Sequence, residues 1–284
     1  MESLTPDEVL RAVRAALEED VGTGDVTTLA TVPQDQTASA LMVAREPLVL
    51  AGMDFATTAF YELSTEVSFV LSKKDGDRVF RGEPLCKVSG PARSLLTAER
   101  VALNFVQRLS GIATFTARFV EAVQGTGARI LDTRKTTPGW RRFEKYAVAC
   151  GGGTNHRFGL YDMVLIKDNH LAALRTALPD PIHAAVARAR GTCPELKIEV
   201  EVDTLEQLDS ALAAGADIIL LDNMTPDQMR QAVEKCRGRA KTEASGGVTL
   251  EKVRAIAETG VDYISSGSLT HSARAVDIAL DFQT

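Results

Sequence analysis

A chain of 284 residues with 45% hydrophobic and 25% charged residues has the make-up of an ordinary globular protein, not of a disordered or fibrous one. Its net charge of −6 argues against a general nucleic-acid binder. No apolar run approaches the ~18 residues of a membrane span, and the start Met1-Glu-Ser-Leu4 lacks the basic and apolar parts of a secretory leader, so the expected location is the cytoplasm. Cys86, Cys150, Cys193 and Cys236 lie far apart with no Cys-x-x-Cys pair, which indicates neither a zinc site nor a disulfide framework.

The length fits one large α/β barrel or a barrel with a smaller companion. Thr5-Pro-Asp-Glu8 reads as a helix start with a capping residue, proline in the first turn and glutamate three after the cap. Val9, Leu10, Val13, Ala16 and Leu17 continue it as an apolar stripe. Strand-like runs follow at Ala38–Ala44 and Val67–Leu71, with turn chemistry at Lys74-Asp-Gly76, so the first hundred residues predict a mixed sheet with helices. Leu95 to Val123 is helical in pattern, with an expected break near Ser110-Gly111.

From Ala128 the texture changes to short apolar strands between helical stretches: Arg129–Asp132, Met163–Ile166, Ile198–Val202, Ile218–Leu221, Lys241–Ala244 and Tyr263–Ser265. Helices such as Leu205–Ala214 and Pro226–Cys236 separate them, and the rhythm is that of βα units around a parallel sheet. A TIM-like barrel is the economical reading; a flat doubly wound sheet is the alternative, disfavoured by the absence of a Gly-x-Gly-x-x-Gly after a first strand.

Barrel enzymes carry their reacting groups at the C-terminal strand ends. Here those ends read Asp132-Thr-Arg-Lys135, Lys167-Asp-Asn-His170, Glu201, Asp222-Asn223, Ser245-Gly-Gly247 and Ser266-Gly-Ser268. Between Arg134 and Lys167, seven basic residues face only Glu144 and Asp162. Part of that excess, Arg141, Arg142 and Lys145, also suits a solvated helix face. Arg134, Arg157 and Lys167, beside His156, suit a small polyanion better, because arginine binds a carboxylate through two parallel hydrogen bonds. The two Ser/Gly loops after the last strands suit a phosphate. Glu201 and Asp222 could hold ribose hydroxyls or a hydrated magnesium ion, with Glu199 an open alternative to Glu201 because it lies on the same face of a regular strand.

Glu19-Asp-Val-Gly-Thr-Gly-Asp25, Leu96-Thr-Ala-Glu-Arg100, Thr133-Arg-Lys-Thr-Thr-Pro138, Asn155-His-Arg157, Ile166-Lys-Asp-Asn-His170, Glu199-Val-Glu201, Leu220-Leu-Asp-Asn223, Glu243-Ala-Ser-Gly-Gly247 and Leu269-Thr-His271 together resemble the quinolinate phosphoribosyltransferase family, also called carboxylating nicotinate-nucleotide pyrophosphorylase. The resemblance implies an incomplete TIM-like α/β barrel over residues 109–271 with an N-terminal open-faced α/β sandwich over residues 1–108, onto which a tail at 272–284 returns. It implies that quinolinate and phosphoribosyl pyrophosphate are the substrates and Mg2+ the cofactor, with Lys135, Glu201 and Asp222 catalytic and the last two near the metal. Arg134, His156, Arg157 and Lys167 would hold the quinolinate carboxylates. Arg100 would arrive from the partner of a homodimer. Thr133, Ser245, Gly246, Gly247, Ser266, Gly267, Ser268 and His271 would complete substrate binding. Competing readings are a Schiff-base lyase using Lys167, a molybdenum-associated paralogue of the same fold, and a non-catalytic anion binder.

Overall fold

A computed structural model describes residues 3–283; residues 1, 2 and 284, the outermost positions of the expected domains, lie outside it. The described residues contain twelve strands: β1 (Thr37–Ala44), β2 (Leu48–Val49), β3 (Ser68–Leu71), β4 (Arg78–Val79), β5 (Pro84–Pro91), β6 (Arg129–Leu131), β7 (Val164–Ile166), β8 (Ile198–Val202), β9 (Ile218–Asp222), β10 (Lys241–Ser245), β11 (Tyr263–Ser265) and β12 (Ile278–Phe282). They fall into two compact units.

The first unit takes in residues 3–117, Thr137–Gly152 and residues 272–283. Its opening helix, Pro6–Val21, has the capping box expected of it: the Thr5 hydroxyl accepts the Glu8 amide N–H and the Glu8 carboxylate accepts that of Thr5, satisfying two amides that a helix end leaves open. Val9, Val13 and Leu17 are buried on one face. The sheet runs β12-β1-β5-β3, all neighbours antiparallel. Along β1, Ala40 and Met42 point inward, and a register shift between Met42 and Val43 lets Val43 and Ala44 be buried in succession. The helices Met53–Leu63 and Ala92–Ala122 bury Phe55, Phe60, Leu95, Leu109 and Ile112 completely, each such side chain contributing roughly 1.5–3 kcal/mol. Phe55, Phe105 and Trp140 stack in series, with Phe143 edge-on.

Contrary to the expected break, Ala92–Ala122 is continuous through Ser110-Gly111. The Ser110 hydroxyl bonds both the N–H and the C=O of Ala51, at 2.9 and 3.1 Å, and Gly111 lies where a Cβ would strike the Arg274 carbonyl. The pair marks a close backbone crossing, for which small residues are needed on a helix surface.

The second unit takes in Arg118–Thr136 and Gly153–His271. Its six strands are all parallel, in the order β6-β11-β10-β9-β8-β7. β6 and β7 form the two edges, so the barrel is incomplete. Ile219, Leu220 and Leu221 are buried in succession, as expected for staves covered on both faces. The helices Pro181–Thr192, Leu205–Ala214 and Pro226–Cys236 start at Asp180, Thr204 and Thr225, whose side chains accept the amide N–H three residues on. That capping ends each loop sharply and returns the chain to the next stave.

Candidate active site

The C-terminal ends of the staves surround a cavity of about 630 Å3 lined by residues from β6 through β11 and the loops that follow them. Thr133, Arg134, Lys135, His156, Arg157, Lys167, Glu201, Asp222, Ser245, Gly246 and Gly247, all named from sequence, border it. Ser266, Gly267, Ser268 and His271 stand just outside that lining. A Cβ on Gly267 would come within 2.8 Å of the Lys135 side chain and 3.2 Å of the His271 ring, so these three are neighbours and the glycine makes room for them. Arg100 is exposed on the helix Ala92–Ala122 of the first unit.

The basic side of the cavity is held by a residue that sequence reasoning left unassigned. Asp132, fully buried at the end of β6, accepts the Asn155 amide at 2.7 Å and the His156 N–H at 2.8 Å. Thr154 extends the edge of β6 by exchanging backbone hydrogen bonds with Ile130 and Asp132. Together they bring His156 and Arg157 to the top of the barrel. Burial, and then the neighbouring Arg134, push the Arg157 guanidinium below its ordinary pKa, while Glu199 and Asp162 pull the other way. Arg134 thus adds to the positive potential at Arg157, and an anionic ligand would offset it.

Beneath them lies a buried set that the sequence only half disclosed. The Nε2 of His156 is 3.1 Å from Glu199 Oε2 and 3.5 Å from Glu243 Oε2, and both glutamates are almost wholly inaccessible. Burial, with Glu243 adding to it, pushes the Glu199 carboxyl up to about 7. Burial works against charge on the His156 ring, but its bonds to Glu199 and Glu243 outweigh that and raise its proton affinity. The Arg157 N–H, however, reaches His156 Nδ1 at 2.7 Å, a bond Nδ1 accepts only when unprotonated. That bond sets the ring as the Nε2–H tautomer, with its hydrogen directed at the carboxylates. Each glutamate's Oε1 has no hydrogen-bond partner among the described residues. Glu199 and Glu201, alternatives for one role by sequence, part in the structure: Glu199 sits in the core beside His156, and Glu201 opens to the cavity and pairs with Lys167.

Asp222 ends β9, and its Oδ2 accepts the Asn223 side-chain amide at 2.8 Å. The Lys135 carbonyl accepts the Thr270 hydroxyl at 2.7 Å, and the Lys135 N–H bonds the Thr133 hydroxyl at 3.1 Å, which curls the loop after β6. Ser266 and Ser268 share a hydroxyl hydrogen bond of 2.7 Å. His170 turns back to accept the Lys167 N–H and is exposed, so it acts as a local cap.

Cations, carboxylates and glycine loops gathered around one cavity define a parallel-barrel enzyme for a small polyanionic substrate. Residues 25–110 match the N-terminal domain, and residues 112–281 the C-terminal domain, of quinolinate phosphoribosyl transferase. The chain is 48% identical over 264 residues to a probable carboxylating nicotinate-nucleotide pyrophosphorylase of Bacillus subtilis, covering 93% of this chain and 89% of that one. It is 49% identical to the Mycobacterium leprae enzyme of the same description, covering 97% of both. The nicotinate-nucleotide pyrophosphorylase structure from Francisella tularensis superposes with a TM-score of 0.93 at 40% identity, over 99% of this chain and 98% of that one. The chain belongs to the quinolinate phosphoribosyl transferase family.

Proposed function

We propose that this chain joins quinolinate to the phosphoribosyl group of phosphoribosyl pyrophosphate, releasing pyrophosphate and carbon dioxide and leaving nicotinate mononucleotide for NAD biosynthesis. The observation that carries the reading is the convergence of Arg134, Arg157 and Lys167 with Glu201 and Asp222 on one cavity of about 630 Å3. Arg134, Arg157 and Lys167 would hold the two carboxylates of quinolinate, with His156 bracing the main chain at Arg157. Thr133, Lys135 and His271 would meet substrate phosphates, and the loops Ser245, Gly246, Gly247 and Ser266, Gly267, Ser268 the 5′-phosphate.

Charge dictates the order of events. The pyridine nitrogen attacks C1 of the ribose as the bond to pyrophosphate breaks, so positive charge grows on the sugar and negative charge on the leaving group. Lys135 would stabilise the departing oxygens, and Glu201 or Asp222 the cationic sugar. The positive charge on the quaternised nitrogen then stabilises the electron pair left on the adjacent ring carbon when the 2-carboxylate departs as carbon dioxide, and that pair takes up a proton from water to form the C–H bond. No protein nucleophile is required. Glu201 and Asp222 present hard oxygen donors from adjacent strand ends, both open to the cavity, and this donor set suits Mg2+ bound directly or through water. Such an ion would supply charge neutralisation for the pyrophosphate. Lys167 is paired with Glu201 in the structure, so quinolinate would have to draw Lys167 away and free that carboxylate.

Incubation with quinolinate, phosphoribosyl pyrophosphate and magnesium should yield nicotinate mononucleotide; no product overturns the reading. The proposal includes a homodimer whose sites each take Arg100 from the partner subunit. Mixing inactive Arg100→Ala and Arg134→Ala chains should restore activity, because a mixed dimer contains one site with both arginines. Confirmed subunit exchange without activity removes Arg100 from the site. Among the described residues no helix is long and apolar enough to cross a membrane.

A further inference from the structure

Asn223 is the one non-glycine residue among those described whose backbone has positive φ, at 53°. That left-handed conformation costs most side chains roughly 1–2 kcal/mol and asparagine less, because its short amide bonds locally. Here the local bond goes to Asp222: Asn223 Nδ2 donates to its Oδ2 at 2.8 Å. The Asn223 N–H donates to the Ser245 carbonyl at 3.0 Å, tying the end of β9 to the end of β10. The neighbouring Gly246, itself at φ 87°, is shaped around this residue: a Cβ there would lie 2.5 Å from Asn223 Cγ and 2.9 Å from its backbone nitrogen. One residue thus touches both the carboxylate proposed to face the sugar and the glycine loop proposed to face its phosphate.

We infer that Asn223 is a positioning residue, which fixes the rotamer of Asp222 through its amide and sets the Ser245-Gly246-Gly247 loop against it through its backbone turn. The inference rests on the proposed role of Asp222. A carboxylate that stabilises a transient positive charge must already be oriented when that charge appears, so losing its brace slows turnover more than it weakens binding.

Asn223→Gly keeps the left-handed turn and removes only the amide. It should fold, show quinolinate KM within about twofold of wild type, and lower kcat by about tenfold. Asn223→Ala should lose the same kcat and also melt earlier, because alanine strains the turn. Asn223→Asp, which keeps shape and turn but replaces the donor with a charge, provides the same kcat readout should the glycine variant fold poorly. Gly246→Ala should slow wild type strongly and do less further harm in the Asn223→Gly background, where the clashing amide is gone. Wild-type kcat in folded Asn223→Gly, or in Asn223→Asp, overturns the inference. Measured alongside, Asp222→Asn separates the two failures: a slow Asp222→Asn with a fast Asn223→Gly sinks the positioning role alone, whereas a fast Asp222→Asn removes the role of Asp222 and this inference with it.

Discussion

The two ends of the barrel hold cavities of similar size and opposite character. The lower one, about 600 Å3 at the N-terminal ends of β9, β10 and β11, is lined by Asp217, Cys236, Arg237, Arg239, Lys241, Thr242 and Asp262. Its carboxylates serve the frame. Asp217 accepts the Ile198 N–H at 2.7 Å and pairs with Arg190; Asp262 accepts the Thr242 N–H at 2.9 Å and pairs with Lys241. In the upper cavity Arg134 and Arg157 share one lining, Lys167 and Glu201 pair within reach of solvent, and Asp222 is oriented by a residue in an uncommon turn. Volume does not separate a site from a dent in the surface; the direction in which the charged groups point does.

That contrast breaks most sharply under paired asparagine substitutions. Asp222→Asn should lower kcat by about 100-fold with the fold intact, because its charge matters when the sugar becomes cationic. Asp262→Asn should leave kcat unchanged and cost about 1–2 kcal/mol of stability, since it weakens bonds to the β10 backbone. Steady-state kinetics and denaturant titration on both proteins check this, and a catalytic defect at Asp262 would end the distinction.

The cations give the next largest effect. Arg134→Lys should weaken quinolinate binding by ~1–3 kcal/mol despite the retained charge, because an ammonium lacks the fork that grips a carboxylate. Lys241→Ala at the exposed lower rim should shift neither quinolinate affinity nor stability by more than about 0.5 kcal/mol. Calorimetric titration of the first and melting of the second are the measurements.

Between the two ends lies the buried carboxyl of Glu199. Its folded pKa, about 7, stands above the value near 4.5 of an exposed glutamate, so its contribution to stability is fully present below about 4.5 and is lost as pH rises through 7. Glu199→Gln keeps the shape without the titration. Its stability relative to wild type should therefore improve by on the order of 1–3 kcal/mol between pH 5 and pH 8, read by denaturant unfolding at each pH. An unchanged difference would mean that Glu199 is ionised throughout.

The smallest effect concerns thiols. Burial pushes Cys236 in the lower cavity up to about 11 and Cys86 and Cys150 up to about 12, so at pH 8 a thiol reagent should label native protein mainly at half-buried Cys193. Rapid labelling of Cys236 would show the lower end to be more open than its packing implies.

The parallel staves were legible because each is a short apolar run followed by a polar cluster. Ile198–Val202 and Tyr263–Ser265 coincide with the expected limits, and the others differ by one residue at an end. β5 and β12 escaped notice: β5 is bounded by prolines and contains a glycine, while β12 acquires its strand character by pairing Ile278 with Ala44 and Phe282 with Ala40. No local pattern announces a partner more than 230 residues away. Most residues now lining the cavity were picked out as strand-end polar groups. Asp132 and Asn223 were seen but given no role, and Glu243 was noticed only within a motif, because mid-strand acids and caps declare their purpose only through what they touch.

Local chemistry along the chain was therefore enough to determine the barrel rhythm, the capped helices and the cationic and acidic strand ends, since hydrophobic period, capping and strand-end polarity are written within a few residues. Only the tertiary structure decided that Glu199 turns inward to His156 while Glu201 faces Lys167, that Ser110-Gly111 is a crossing and not a break, and that Gly246 must stay small beside Asn223. Those outcomes depend on which strands become neighbours and how closely their backbones approach, and burial and hydrogen-bond satisfaction settle both across the whole fold at once.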